Sequence, residues 1–562
     1  MTLYKHLLFA GCVLMAAVAS GRERTPGEML RLAGRQLEAT TTAPVNLLQK
    51  DGALSVYGNR NGFVVMTSDD RYDAVLGYSN TAFNPQNMPD GLRWWLRAAT
   101  ATVNDPWRSL ERMSTRAGAP VEPFIKTTWD QGHPYNVKCP KVGNDFPPTG
   151  CVATALAQVL KYYEYPATAK IKGSYTINKK TANKTVTTTY KWENMKDQYS
   201  ESDGQFTAPV TAVAELMRDC GYACNMTYAK NGSATSDIYA ALALKDFFKY
   251  DSLAVHYYSH ELYTDEEWAS FVYDAIARKQ PVLFGGADEY GGGHEFLLCG
   301  QDASGKVYVN WGWGGTYDGF FNLDLLEYRG NVFSYNQSIV TGLRPQATPD
   351  EQDHYLSQWV CDSIHYEVLG DTALILNPQY LFNYSVLQFD GTIDMAVINR
   401  TNPSNIVYLN AIDTKDDSVG IVQPFYGWIF VEDEADEEGT GEEEAAEDGE
   451  EGQDAEGDTL MVSGFQDLAP GIYDIYLTSK EVRDSERQPV RTLEGPHIAT
   501  LKKLSDGRLL VADEKVDDIA DALRTPLAAR QSSTDAYTLG GRRLSKPTQR
   551  GVYIVNGRKI IR

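Results

Sequence analysis

A cysteine, a histidine and an asparagine follow one another along this chain in an order that suits thiol chemistry. Cys151 opens a run of helix-forming residues, His294 begins an apolar strand after three glycines, and Asn310 ends the next predicted strand. A thiolate nucleophile needs a base that generates it, and the base needs a partner that holds its ring. The three residues therefore predict a site for acyl transfer through a thioester.

Cys151 lies at the start of a predicted helix over residues 151–163, which is rich in alanine and ends before Pro166. The free N–H groups and the dipole at a helix N-terminus favour a thiolate and lower its pKa. A buried structural cysteine is the alternative interpretation of this residue. We expect the other cysteines of the mature chain to be small buried side chains of this kind.

His294 and Asn310 flank the turn at 302–305, and a simple antiparallel hairpin would place them opposite each other, about 5 Å apart at Cβ. The amide of Asn310 would then accept a hydrogen bond from the imidazole and fix its tautomer. Trp311, the next residue, would shield that bond from water. The alternatives are a core histidine and a tryptophan that only fills the core.

Gln131 supplies a candidate side-chain donor for the oxyanion that forms when a thiolate attacks a carbonyl. A surface amide is the alternative. Cys220 and Cys224 lie four residues apart in a helical pattern, with no further cysteine or histidine nearby at ligand spacing, so a zinc site is not predicted. We expect the chemistry to need neither a metal nor an organic cofactor.

The chain has 562 residues and a formal net charge of −23. Residues 432–458 hold sixteen acidic side chains and no basic one, which is typical of a disordered loop insertion, with cation binding as the alternative. A chain this acidic repels phosphates, so a nucleic-acid partner is not expected.

The N-terminus predicts a secretory signal peptide over residues 1–20. A basic start precedes an apolar run over 7–19 that is too short to span a bilayer, and small residues follow it. Cys12 weakly resembles a lipoprotein acceptor, but apolar sequence continues beyond it. The sequence therefore predicts export from the cell.

Periodicity divides the mature chain into an α+β part and a β-rich part. The predicted units are a small α+β unit at 21–117, a larger α+β unit at 118–345, a β-sandwich-like unit at 350–525 and a basic tail at 537–562. Within the first two units, the predicted strands cover 54–58, 62–67, 74–78, 281–284, 294–299, 307–310 and 320–323. The predicted helices cover 92–103, 151–163, 208–220, 235–248 and 264–279.

Four segments together resemble the streptopain family of papain-like cysteine peptidases: 128–136, 150–166, 292–294 and 309–315. The resemblance implies a papain-like peptidase of two subdomains, one helical and one built on an antiparallel sheet. It further implies that Cys151 is the nucleophile and His294 the base and acid, that Gln131 and the Cys151 N–H bind the oxyanion, and that Asn310 and Trp311 orient and cover the imidazole. The flanking glycines predicted to contact substrate are Gly150, Gly292 and Gly293.

Residues 62–71 and 75–78 resemble the inhibitory prodomain of the same family. This resemblance implies a zymogen whose prodomain is removed autocatalytically, with protein or peptide substrates and the chain's own prodomain as partners. It also implies a preference for an apolar residue two positions before the cut. The tail at 537–562 resembles the C-terminal sorting segments of exported Bacteroidetes proteins, which implies contact with the cell surface or with secretion machinery.

Two other functions fit parts of the sequence. A transglutaminase-like or amidase acyl transferase would use the same cysteine, histidine and asparagine with a different acceptor. A secreted binding protein would use the β-sandwich-like unit and leave the thiol site idle. The presence of Cys151, His294, Asn310 and Gln131 together favours the peptidase.

Overall fold

A computed structural model provides the structure of the protein. It describes the residues in the ranges 23–38, 43–104, 119–200, 202–204, 206–287, 293–323, 337–346, 356–361, 363–369, 373–379, 381–413, 460–462, 467–481, 483–484, 486–512, 536–538, 543–544, 552–555 and 558–561. The predicted signal peptide, the acidic insertion at 432–458 and Gly292 lie outside the described residues. The chain divides into two compact units at residue 350, and each is treated by itself below.

The first unit contains twelve strands in its described part. They are β1 (Asn46–Asp51), β2 (Leu54–Asn59), β3 (Gly62–Thr67), β4 (Val75–Ser79), β5 (Thr168–Ile177), β6 (Lys180–Thr189), β7 (His256–Ser259), β8 (Val282–Ala287), β9 (Gly293–Gln301), β10 (Val307–Asn310), β11 (Gly319–Phe321) and β12 (Ser338–Thr341). Ten of them form one antiparallel sheet in the order β1-β2-β3-β4-β11-β10-β9-β8-β12-β7, while β5 and β6 form a separate hairpin.

Six α-helices accompany the strands in the described part of this unit. They are α1 (Pro26–Glu38), α2 (Asp90–Asn104), α3 (Cys151–Tyr163), α4 (Ala208–Ala223), α5 (Ile238–Asp246) and α6 (Asp265–Ala277). Helix α3 ends where Glu164 adopts the left-handed conformation, with φ of 48°, and its N–H returns to the carbonyls of Leu160 and Lys161. Helix α6 begins at a capping box between Thr264 and Glu267.

The predicted prodomain and peptidase units share the large sheet. Strand β4 pairs with β11, so Tyr78 lies opposite Phe320 and Ser79 opposite Gly319. The Tyr78 hydroxyl donates a hydrogen bond to Asp302 at 3.1 Å, and the Trp95 indole of α2 donates one to the Asn322 carbonyl at 3.1 Å. The N-terminal strands therefore extend the sheet that carries His294, an arrangement that the sequence did not predict.

The two faces of β9 pack against different parts of the molecule. Because side chains alternate along a strand, His294, Phe296 and Leu298 share one face, while Glu295 points to the other. Phe296 and Leu298 lie in a large apolar cluster that also contains Trp94 and Trp95 of α2. The other face carries α3, which packs against β9. The α+β class predicted from the sequence, with a helical part and an antiparallel sheet part, is confirmed.

One predicted register is wrong. Asn310 pairs with Leu297 and not with His294, because the ladder is centred on the turn at 302–305, which places position 297 opposite position 310. His294 lies eight residues before this turn and Asn310 five residues after it, so equal counting from the turn does not pair them. The predicted helix at 151–163 has the bounds observed for α3. Strand β1 was missed because its side chains are largely exposed and its sequence, NLLQKD, does not alternate.

The described part of the second unit consists of strands. They are β13 (Trp359–Cys361), β14 (Ser363–Leu369), β15 (Ala373–Gln379), β16 (Phe382–Asn383), β17 (Gly391–Asn399), β18 (Ile406–Asp413), β19 (Leu460–Val462), β20 (Gly471–Glu481), β21 (Gln488–Pro489), β22 (Arg491–Thr492), β23 (His497–Lys503), β24 (Leu509–Ala512), β25 (Ala536–Thr538), β26 (Arg543–Leu544), β27 (Val552–Val555) and β28 (Arg558–Ile561). Strands β17, β20 and β23 lie side by side, and their inner residues pack with Trp359 and Phe389 in one apolar cluster. The last four strands pair with one another inside the predicted tail.

The β-sandwich-like architecture and the predicted unit boundaries remain predictions. None of the helices in the described ranges combines the length and the apolar character that crossing a membrane requires.

Candidate active site

Cys151 is the first residue of α3, and Gly150 determines how the chain enters the helix. Gly150 has φ of 92°, a conformation that side chains rarely adopt. A Cβ at this position would lie 2.6 Å from Met226 Cε, so the close packing also requires glycine. Gly150 therefore has a structural role in aiming the thiol, while its predicted contact with substrate remains a prediction.

The Cys151 thiol is partly exposed and faces backbone N–H groups. Burial raises the pKa of the thiol, whereas hydrogen bonds from the N–H groups of Glu295 and Val152 lower it. Burial is the largest of these effects, so the pKa of Cys151 lies above its ordinary value. The sequence predicted a lowered pKa, and for this form of the protein that prediction is wrong.

The ring of His294 is held by a main-chain atom. Its Nε2 lies 3.0 Å from the carbonyl oxygen of Trp311. A carbonyl can only accept, so Nε2 carries the hydrogen and donates it, which leaves Nδ1 as the acceptor of the neutral ring. Burial lowers the pKa of His294, while the bond to Trp311 and the charge of Asp90 raise it in part.

Asn310 does not hold the imidazole, contrary to the sequence prediction. Its Nδ2 donates to the Thr127 carbonyl at 2.8 Å, and its Oδ1 accepts from the Gly312 N–H at 3.0 Å. Asn310 pairs with Leu297, and its side chain meets Gln158 of α3. Asn310 therefore shapes the loop that presents the Trp311 carbonyl, and the carbonyl orients His294.

Gln158 is a residue that the sequence reasoning missed. It is fully buried on α3, and its amide exchanges hydrogen bonds with that of Asn310 at 3.2 and 3.3 Å. Its Oε1 also accepts from the Thr127 hydroxyl at 3.0 Å and from the Trp129 N–H at 3.2 Å. The sequence signal that could have identified Gln158 was its place two helical turns after Cys151, among mostly apolar residues.

Trp311 is fully buried and is fixed at both ends. Its backbone N–H donates to Asp318 at 2.9 Å, and its indole N–H donates to the Tyr317 carbonyl at 3.0 Å. The ring packs against Phe296, with ring centroids 4.9 Å apart.

Burial raises the pKa of Asp318 to about 7. Asp318 also escaped the sequence reasoning, since nothing in its local sequence marks it as a buried acid.

Gln131 lies beside the start of α3. Its carbonyl accepts a hydrogen bond from the Thr149 N–H at 2.9 Å, two residues before Cys151. The neighbouring Trp129 carbonyl accepts from the Gly314 N–H at 3.3 Å, which ties this segment to the loop after Asn310. The structure thus brings the Gln131 backbone beside Thr149, two residues before Cys151, and the role of Gln131 as an oxyanion donor remains a prediction.

Cys151 and His294, the predicted nucleophile and base, do not interact in this structure. The thiol faces the N–H of Glu295, the residue directly after His294, but among the described residues no hydrogen bond joins the sulfur to the imidazole. Gly293 is exposed at the start of β9 and pairs with Ala287, whereas Gly292 lies outside the described residues.

Helix α2 of the N-terminal segment covers the imidazole. A Cβ at Gly91 would lie 2.7 Å from His294 Cδ2 and 2.8 Å from Trp311 Cε3, so the helix backbone is in close contact with both. A Cβ at Gly286, opposite His294 in β8, would lie 2.9 Å from the Trp94 ring. The first turns of α2 therefore occupy the face of the sheet to which His294 points.

The chain matches two family models. Residues 129–321 match the Peptidase C10 family, and residues 49–103 match the Spi protease inhibitor. These ranges contain the site described above and the segment from β2 to α2, respectively.

Two curated relatives carry related sequences. The chain is 32% identical over 321 residues to the thiol protease/hemagglutinin PrtT of Porphyromonas gingivalis, an alignment that covers 51% of this chain and 36% of that protein. It is 29% identical over 317 residues to streptopain of Streptococcus pyogenes, covering 50% of this chain and 78% of that protein. The chain thus spans about a third of the length of PrtT.

Two solved structures are also similar. A fragment of prointerpain A from Prevotella intermedia has 32% sequence identity and a TM-score of 0.46, with 53% of this chain and 98% of that chain covered. The active interpain A cysteine protease from the same organism has 33% identity and a TM-score of 0.36, with 42% and 98% covered.

Proposed function

Because the chain belongs to the Peptidase C10 family, we propose that it is a secreted cysteine endopeptidase made as a zymogen. One observation carries the proposal. The Cys151 sulfur, at the N-terminus of α3, faces the backbone of the residue that directly follows His294. Rotation of the imidazole away from the face covered by α2 would then pair the nucleophile with its base.

In the active enzyme, Nδ1 of His294 takes the proton of the Cys151 thiol, while the Trp311 carbonyl keeps Nε2–H in place. The sulfur attacks the carbonyl carbon of the scissile peptide bond. Gln131 and the Cys151 N–H stabilise the oxyanion. His294 donates its proton to the leaving amine, and a thioester forms. Water activated by the same imidazole then hydrolyses the thioester.

The N-terminal segment acts as the inhibitor of the same chain. Helix α2 contacts His294 through Gly91, and β4 adds to the edge of the catalytic sheet through β11. These contacts keep the imidazole on the face of β9 opposite to the residues that meet the thiol. Removal of residues 21–117 frees that face and lets the ring turn toward Cys151.

Secretion rests on the predicted signal peptide at residues 1–20. The tail at 537–562 is proposed to direct the exported protein to the cell surface or to secretion machinery. Protein and peptide chains are the proposed substrates.

The function is tested with the full chain, casein and a reducing agent, with and without an irreversible thiol blocker. We expect new free N-termini in casein, no cleavage after thiol blocking, and none by the Cys151→Ala variant. Cleavage by Cys151→Ala at the wild-type rate would disprove the proposal. Isopeptide crosslinks in place of new N-termini would instead indicate an acyl transferase.

A further inference from the structure

Three side-chain oxygens converge above Gly285, on the face of the sheet opposite His294. Glu295 in β9 and Ser338 in β12 lie on either side of Gly285 in the ladder, and Asp237 reaches in from the start of α5. A Cβ at Gly285 would lie 2.6 Å from Glu295 Oε2, 3.0 Å from Asp237 Oδ2 and 3.1 Å from Ser338 Oγ. The two carboxyl oxygens are thus no more than about 6 Å apart, close enough for each charge to disfavour the other.

Only one of the two carboxyls is satisfied by the protein. Asp237 accepts hydrogen bonds from the Ser338 hydroxyl and from the Ile238 N–H. Glu295 is 3% exposed, and its Oε1 has no hydrogen-bond partner within the described structure. A buried carboxyl without a partner is costly, so this position keeps an acceptor that the fold itself does not use.

The electrostatics of this pair, which we call the acid pair (Glu295 and Asp237), favour a cation. Burial raises the pKa of both carboxyls, and the charge of Asp237 raises that of Glu295 further. The other titratable groups that act on them are Cys151 at the start of α3 and Cys224 at the end of α4. Without a cation, burial and the repulsion between the two carboxylates therefore favour the protonated forms of the pair.

The acid pair lies next to the reacting sulfur. The Glu295 N–H faces Cys151, and the charge of Asp237 raises the pKa of that thiol. A substrate whose carbonyl carbon is attacked by Cys151 places its preceding side chains beside this point. Lysine and arginine have long apolar stems and cationic ends that donate several hydrogen bonds, which suits a buried pair of carboxyls.

A metal ion suits the acid pair less well. Two carboxylates and one hydroxyl provide fewer ligands than Ca²⁺ takes. No group of three or more His, Cys, Asp or Glu side chains in the described ranges is placed to hold a metal ion.

We propose that Glu295 and Asp237 form a subsite for the lysine or arginine side chain of one of the two substrate residues before the scissile bond. The inference rests on the endopeptidase function proposed above and names its substrate class. It departs from the apolar preference that the family resemblance implies.

The test uses the full chain after autocatalytic activation and fluorogenic peptides that carry lysine, arginine, leucine or glutamate at each of the two positions. We expect kcat/KM for the basic peptides to exceed that for the leucine peptide by about tenfold or more at one position. Glu295→Gln keeps the shape of the side chain and removes its charge, so the ratio of lysine to leucine should fall by about tenfold. Asp237→Asn should lower the same ratio.

Glu267→Gln is the matched control, since Glu267 is also 3% exposed and glutamine can replace it in the capping box of α6. The control should leave the ratio unchanged. The pH dependence of the same ratio provides a second test, which uses only the wild-type enzyme. In the wild-type enzyme the ratio of lysine to leucine should rise with pH as the acid pair loses its protons.

The outcomes separate this inference from the function on which it rests. Thiol-dependent cleavage with no basic preference at either position, and a ratio independent of pH, would overturn the subsite and leave the peptidase in place. Absence of any thiol-dependent cleavage would overturn both.

Discussion

The carbonyl oxygen of Trp311 lies 3.0 Å from Nε2 of His294 and sets the tautomer of this imidazole, the proposed base. The partner of the imidazole is therefore a main-chain atom, whose position depends on the loop that follows β10. Asn310 and Gln158 hold that loop through paired amides. The Asn310 side chain, which was expected to orient His294 directly, acts on it only through the loop that carries the Trp311 carbonyl.

The first prediction concerns Gln158. Gln158→Leu leaves the Trp129 N–H without its acceptor and removes both hydrogen bonds between Gln158 and Asn310, whose amide keeps only its bonds to Thr127 and Gly312. The free energy of unfolding should therefore fall by about 2–3 kcal/mol. The activity should fall through kcat, because the Trp311 carbonyl is no longer held. Urea denaturation of the variant in a Cys151→Ala background measures the first effect without self-digestion.

Thr127→Val is the control for this prediction, since it removes only one of the donors to the same oxygen. It should cost about 1 kcal/mol. Equal losses for the two variants would contradict the role assigned to the Gln158 amide.

The second prediction concerns the contact between α2 and His294. Gly91→Ala places a methyl group 2.7 Å from His294 Cδ2, within a helix whose backbone cannot easily retreat. The prodomain should then bind less tightly, and autocatalytic activation should begin with a shorter lag. The lag is measured from the time course of casein cleavage by freshly purified full-length protein.

Gly34→Ala provides the matched control, because Gly34 also lies in a prodomain helix and a Cβ there would meet no atom within 4 Å. Its lag should match that of the wild type or be longer, since alanine favours a helix. A longer lag for Gly91→Ala than for Gly34→Ala would refute the blocking contact.

The third prediction concerns the reactivity of the thiol before and after activation. In the full chain the pKa of Cys151 is raised, mainly by burial, so the thiol is protonated at pH 7 and should react slowly with iodoacetamide. After activation, an imidazolium beside the sulfur lowers the pKa, and the midpoint of the rate against pH should move down. The other cysteines of the described ranges are buried, so labelling reports on Cys151.

Rates are compared for the His294→Ala full chain, which cannot process itself, and for the activated wild type. If both gave the same midpoint, the thiol would not depend on the imidazole, and the proposed movement of His294 would be wrong.

The fourth prediction is a pH dependence of stability. Asp318 is buried, and its pKa rises from 3.8 to about 7 in the folded chain. Between these values the folded state holds a proton that the unfolded state has released. The free energy of unfolding therefore falls as pH rises through this window, by about 2–4 kcal/mol for this group. Asp318→Asn should flatten that slope.

The slope is measured by urea denaturation from pH 4 to 8 in a Cys151→Ala background. Asparagine keeps an oxygen for the Trp311 N–H, so the fold should persist. An unchanged slope in Asp318→Asn would show that other groups cause the dependence.

The sequence by itself determined the α+β class, the resemblance to a peptidase family and the place of Cys151 at the start of a helix. Alanine-rich sequence with an apolar stripe, ended by Glu164 and Pro166, gives a helix with the bounds of α3 and places Cys151 at its N-terminus. These are local effects, since helix propensity, capping and periodicity act over a few residues. The antiparallel strands around His294 followed from the same kind of local pattern.

Only the tertiary structure decided how these residues meet. Asn310 pairs with Leu297 and faces Gln158, and a main-chain carbonyl holds His294. The edge pairing of β4 with β11 and the contact of Gly91 with the imidazole join residues more than two hundred positions apart. Asp237, Glu295 and Ser338 likewise converge from three separate elements. Such contacts depend on register and on packing between distant segments, for which local sequence carries no signal.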